Sequence, residues 1–101
     1  MVVRDDDIEC VAYVASSKLR RTILQKIKVE KRIDRPRLTN LLENKLYPEY
    51  SLSTIKIYIR DLIKKGLLIS EKKHGKQLQL LSLSDQGARI LKAIEKSRKT
   101  W

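Results

Sequence analysis

The chain has one cysteine, Cys10, and one histidine, His74. A lone thiol closes no intrachain disulfide, and one thiol with one imidazole falls short of a zinc ligand set. Glycine occurs three times, proline twice and phenylalanine not at all, and no glycine-rich phosphate loop can be drawn from so few. No nucleophile and base stand together, and no carboxylate pair marks a cleft, so an enzyme, catalytic residues and a cofactor are not expected. Apolar runs never approach the roughly 18 consecutive residues of a membrane-spanning helix. The opening MVVRDDDIE is too acidic for a signal peptide and has no apolar stretch. A cytoplasmic protein without a membrane partner is expected. With no internal repeat and no Gly/Ser/Pro-rich linker, residues 1–101 are read as a single domain.

Negative charge is the other shortage. Twelve Asp and Glu stand against 23 Lys and Arg, a formal net charge of +11. The matching partner is a polyanion, with nucleic acid first. Charged residues make up 35% of the chain and apolar ones 42%, a globular balance rather than a disordered one. The densest positive block runs from Lys18 to Arg37, opposed only by Glu30 and Asp34.

Hydrophobic periodicity divides the chain. DDDIECVAYVA (5–15) opens on carboxylates suited to a helix N-terminus and then turns apolar on nearly every side, so this helix needs cover from two directions. Ser16 or Ser17 can cap the next helix, with Leu19, Ile23, Leu24 and Ile27 inward. Asp34 and Pro36 mark the start of a third, whose face is Leu38, Leu41, Leu42 and Leu46. Tyr47 and Pro48 interrupt it. Ser51 or Ser53 then caps STIKIYIRDLIKKGLL, with a core stripe of Ile55, Ile59, Leu62 and Ile63 and a left-handed cap at Gly66. From residue 67 to 83 the period becomes strand-like about a His74-Gly75 turn, which predicts a hairpin. The phase change between Leu80 and Leu81 suggests a bulge or the strand's exit. Ser84 caps a last helix, over 85–98, with a broad apolar arc of Gly87, Ile90, Leu91, Ala93 and Ile94.

SSKLRRTIL, with Arg20, STIKIYIRDLIKKGLL and LSDQGARIL occur in the order found in one well-known fold. Over roughly residues 16–95 the chain resembles the winged helix-turn-helix DNA-binding proteins, similar to ArsR-like and MarR-like regulators of the small archaeal type. The resemblance implies a mainly α fold with a small β-hairpin wing (α+β) and a sequence-specific, double-stranded DNA-binding transcription regulator on the nucleoid. The paired cysteines by which some ArsR-like proteins sense metals are absent, and no particular small-molecule effector is indicated. A homodimer is expected through helices 5–15 and 85–98, which carry more apolar surface than one small core requires. An architectural or partition protein with little sequence preference, or a winged-helix protein-docking module, would share this pattern.

On that resemblance, the helix containing STIKIYIRDLIK enters the major groove with the face opposite its core stripe. That face carries Ser53, Lys56, Ile57, Arg60 and Lys64, with Thr54 at its edge. Arg35, Arg37 and Thr39, at the start of the preceding helix, are expected on phosphate. Lys72, Lys73, His74 and Lys76 form the basic tip of the wing, where His74 also serves the turn. Ile57 is the odd member, a branched apolar side chain amid polar and basic ones. It either meets the C5-methyl of a thymine, packs on the long Tyr47–Tyr50 turn, or is an ordinary exposed apolar residue. Arg60 is read on guanine or phosphate, Lys64 mainly on phosphate, and Tyr50 and Tyr58 as core-edge aromatics.

Overall fold

The computed structural model describes residues 5–72 and 79–98, with side chains over 8–72 and 79–96. Helix α1 (Asp5–Ala15) leads to α2 (Lys18–Glu30), whose N-terminus is closed by Ser17, its hydroxyl accepting from the Arg20 amide at 3.3 Å. Leu19, Ile23, Leu24 and Ile27 of α2 are fully buried and form the centre of the core. The helix stops at Lys31, held at φ 65°, and a tight turn follows in which the Arg32 amide donates to the Glu30 carbonyl at 2.7 Å.

A two-residue strand, β1 (Ile33–Asp34), comes next. Periodicity is blind to so short an element. Asp34 does precede α3 (Arg35–Leu41) in extended geometry, but its carboxylate makes no capping bond. The end of α3 widens into one π-helical turn, Leu42–Leu46, closed by the Tyr47 amide donating to Leu42 at 2.7 Å. The chain then turns through 47–51 into α4 (Leu52–Lys64). Ser51 caps α4, accepting from the Thr54 amide at 3.2 Å. At the other end Gly66 takes φ 79°, its amide donates to Ile63 and the Leu67 amide reaches back to Leu62, each at 3.0 Å. This paired closure satisfies the last carbonyls of the helix and uses the left-handed conformation glycine adopts freely. Ile55, Ile59 and Leu62 of α4 are fully buried. Each contributes about 1.5 to 3 kcal/mol of burial free energy.

Strands β2 (Leu68–Lys72) and β3 (Gln79–Leu83) pair antiparallel, from Leu68 opposite Leu83 to Lys72 opposite Gln79. On its other edge β3 pairs with β1, Ile33 opposite Leu81, giving a three-stranded sheet of order β1-β3-β2. Among the described residues the ladder is unbroken, so the leucine phase change reflects position rather than a bulge. Because β3 is the middle strand, it encloses Leu81 fully and leaves Leu80 on its other phase half-buried.

Helix α5 (Asp85–Arg98) returns across the sheet and against α1. Ser84 joins three elements. Its hydroxyl donates to the Gly66 carbonyl at 2.6 Å and accepts from the Gly87 amide at 3.0 Å, while its amide donates to Leu67 at 3.1 Å. The helix approaches so closely here that a Cβ on Gly87 would overlap the Leu67 carbonyl oxygen. Ile90, Leu91 and Ile94 face the core, and Ala93 faces outward. Among the described side chains of α1 only Val14 is fully buried; Ile8 is 55% exposed. No helix among the described residues is long and apolar enough to cross a membrane.

Candidate nucleic-acid interface

The outward face of α4 follows from its inward one. With Ile55, Ile59 and Leu62 committed to the core, a turn of about 100° per residue leaves Ser53, Ile57, Arg60 and Lys64 pointing away from it. All four are exposed, as is Lys56 on the adjoining flank, and Ile57 retains 45% of its accessible surface. Thr54 lies at the helix start, half-buried, its hydroxyl 2.9 Å from that of Ser51. Arg60 has one acidic neighbour, its Nε 4.0 Å from a carboxylate oxygen of Asp61. An exposed pair at that distance restrains the arginine little.

Each flank of α4 is held. On one side the residue that meets the 47–51 turn is Tyr58, whose ring centre lies 6.2 Å from that of Tyr50; Tyr50 in turn lies 5.8 Å from Tyr47. The Tyr47 and Thr22 hydroxyls are 2.7 Å apart, which anchors the turn to α2. Tyr50 and Tyr58 are thus packed at the core's edge. On the other side stands Arg35. Its Nη1 donates to Gln79 Oε1 at 2.8 Å and its Nη2 to the Lys56 carbonyl at 3.4 Å. One guanidinium therefore brackets the start of α3, the Lys72–Gln79 end of the β2–β3 ladder and the middle of α4.

This placement changes what the start of α3 offers. Arg37 is exposed, but Arg35 already has two internal acceptors. Thr39 is only 5% exposed and its hydroxyl donates to the Arg35 carbonyl at 2.7 Å. Contrary to the expectation for it, the Thr39 hydroxyl is turned onto its own helix. The reason is helical phase, since Thr39 adjoins the buried Leu38 and falls on the inner side of α3.

Between α3 and α4 lies a cleft of about 560 Å³, lined by Arg35, Pro36, Asn40, Glu43, Leu52, Lys56 and Gln79 together with Thr39. Asn40 and Gln79 belong to it although neither stands out in the sequence. A signal for Asn40 does exist, because Pro36, Asn40 and Glu43 repeat at helical spacing; Gln79 has none, since only the pairing of β1 with β3, Asp34 opposite Leu80, brings it to Arg35. Lys72 is exposed at the end of β2, and Lys73, His74 and Lys76 lie outside the described residues. Among the described residues no group of three or more His, Cys, Asp or Glu side chains is placed to hold a metal ion.

No protein-family model matches the chain, and no curated protein does. Solved structures do. A crystal structure of an ArsR family transcriptional regulator superposes with a TM-score of 0.62 at 11% identity, covering 99% of this chain and 94% of that one. A MarR mutant from E. coli complexed with operator DNA gives 0.66 at 17% identity over 90% of this chain, which spans 64% of the MarR chain. A structure described as a possible transcriptional regulator for arsenical resistance gives 0.61 at 24% identity, over 94% of this chain and 84% of that one. The order of elements, the small antiparallel sheet and these superpositions make the fold the winged helix-turn-helix of ArsR and MarR regulators.

Proposed function

We propose that this protein is a sequence-specific, double-stranded DNA-binding transcription regulator, acting as a homodimer on the nucleoid in the cytoplasm. Helix α4 occupies the major groove and the β2–β3 wing follows the neighbouring backbone. The observation that carries this reading is the outward face of α4. Lys56, Arg60 and Lys64 are exposed there with Ser53 and Ile57, on a protein of net charge +11. The MarR neighbour complexed with operator DNA supports it by fold. Arg37 and the wing lysines 72, 73 and 76 add phosphate contacts, while Arg35 orients the elements that make them. No catalytic group or cofactor enters this reading.

An architectural protein would need only the positive charge. Ile57 at the centre of the face favours base reading, because phosphate contact has no use for a branched apolar side chain. Recovery of genomic DNA fragments bound by the protein, followed by titration of the enriched site against random duplex, tests the proposal. The enriched site should bind at least about a thousandfold more tightly than random duplex. Equal affinity for both would replace the regulator by the architectural protein, and no binding to either would leave a protein-docking module.

A further inference from the structure

Tyr13 lies on α1, Arg20 on α2, and Tyr58 and Lys65 on α4 and its C-cap. The four side chains form one cluster. The Arg20 guanidinium carbon sits 3.9 Å from the centre of the Tyr13 ring and 5.0 Å from that of Tyr58, and the Lys65 ammonium lies 4.6 Å from the Tyr13 ring centre. Arg20 Nη1 also donates to the Tyr13 carbonyl at 3.0 Å. Its Nε is buried with no acceptor among the described residues. Two cations thus share the ring of Tyr13, and one of them also faces Tyr58.

We propose that Tyr13 and Arg20 are positioning residues, a brace that sets the angle between α1 and α4. A partly desolvated cation is stable only against a partner that offers negative potential, and ring faces supply it at a defined distance and direction. Aliphatic packing has no such directionality. The planar guanidinium stacks where an ammonium does not, so Arg20 fixes both rings at once. Tyr58 adjoins Ile57 on α4, so any turn of α4 that re-seats the Tyr58 ring also swings the outward face. At the other end of the brace, α1 exposes Ile8 and Ala12. In the dimer proposed above α1 meets the second copy, so the brace fixes the spacing between the two recognition helices. This last consequence rests on the proposed function, whereas the brace itself does not.

Amide hydrogen exchange tests the brace without DNA. In Arg20→Met, α1 and the C-terminal half of α4 should exchange faster together, by about tenfold, the size of one partly desolvated cation–ring contact. The β2–β3 ladder should be unchanged, and Tyr13→Phe, which keeps the ring, should match the unmodified protein. Acceleration confined to α1, or equal effects of Tyr13→Phe and Tyr13→Leu, overturns the brace. Should Arg20→Met fail to unfold cooperatively, Tyr13→Leu against Tyr13→Phe decides the same question. The second arm measures binding to paired half-sites whose spacing is varied one base pair at a time. Arg20→Met should flatten the spacing preference and keep the base preference within each half-site. A folded Arg20→Met protein with an unchanged spacing profile overturns the proposal. If the unmodified protein itself has no spacing preference, the dimeric reading fails, and the exchange comparison still decides the brace.

Discussion

Ile57 and Arg35 are the residues on which the reading of the interface turns. Ile57 is exposed beside Ser53, Arg60 and Lys64, while its neighbour Tyr58 takes the packing role against the turn. A branched apolar side chain in a major groove has one apolar feature to meet, the thymine methyl. Ile57→Ala is expected to cost about 1 to 3 kcal/mol at the preferred site and to relax preference at one base pair per half-site. Lys64→Ala should weaken all sequences about equally. Duplexes carrying thymine or uracil at each position provide the check, and equal affinity throughout would remove Ile57 from base reading. Arg35 makes a different prediction. If it brackets the Lys72–Gln79 end of the wing to α4, a double-mutant cycle with Gln79 should give a coupling energy of about 0.5 to 3 kcal/mol in DNA binding. Strictly additive losses would make it an independent phosphate contact.

The elements depend on two glycines for different reasons. At Gly66 the backbone is left-handed, so Gly66→Ala is expected to cost about 1 to 2 kcal/mol. At Gly87 the backbone is ordinary but the space is not. The Leu67 carbonyl occupies the place of a Cβ, and Gly87→Ala forces α5 away from the start of the hairpin. A loss of about 1 to 3 kcal/mol is expected there. Each kcal/mol lowers the thermal midpoint by about 4 to 8 °C in a domain of this size, which a melting curve resolves. The wing makes its own prediction. Replacing Lys72, Lys73 and Lys76 together by Ala should lower the slope of log affinity against log salt by about one for each phosphate that the wing ceases to neutralise. An unchanged slope would place the wing away from DNA.

At the scale of the whole molecule, charge and apolar surface point to different partners. A dimer that neutralises roughly 6 to 10 phosphates should lose about three to five powers of ten in affinity between 50 and 200 mM salt. Dimerisation should depend on the apolar side of α1, where Ile8 is 55% exposed. Sedimentation at micromolar concentration is expected to show a dimer, and Ile8→Glu a monomer that still unfolds cooperatively. The two α4 helices of the dimer would then lie about 34 Å apart, one turn of DNA. A monomer with and without DNA would exclude this assembly.

Much of this architecture is local and therefore written in short stretches of sequence. The caps at Ser17, Ser51, Gly66 and Ser84, and the inward residues of α2 and α4, depend on neighbours within about a turn or two of helix. The exposure of the α4 face follows from the same periodicity. What only the tertiary structure decided involves partners distant along the chain. Two residues became strand β1 because β3 lay alongside them. Arg35 became a bracket because the β1–β3 register delivered Gln79, 44 residues later, to its guanidinium. Thr39 turned inward with Leu38, and Arg20 met Tyr13 and Tyr58 only when three helices packed together. The sequence by itself determined the buried stripes of α2 and α4 and placed the helix starts to within a residue or two, while Leu46, expected inward, is 38% exposed. Tertiary structure decided which charged side chains were left for a partner, because a guanidinium takes the acceptors that packing brings within reach.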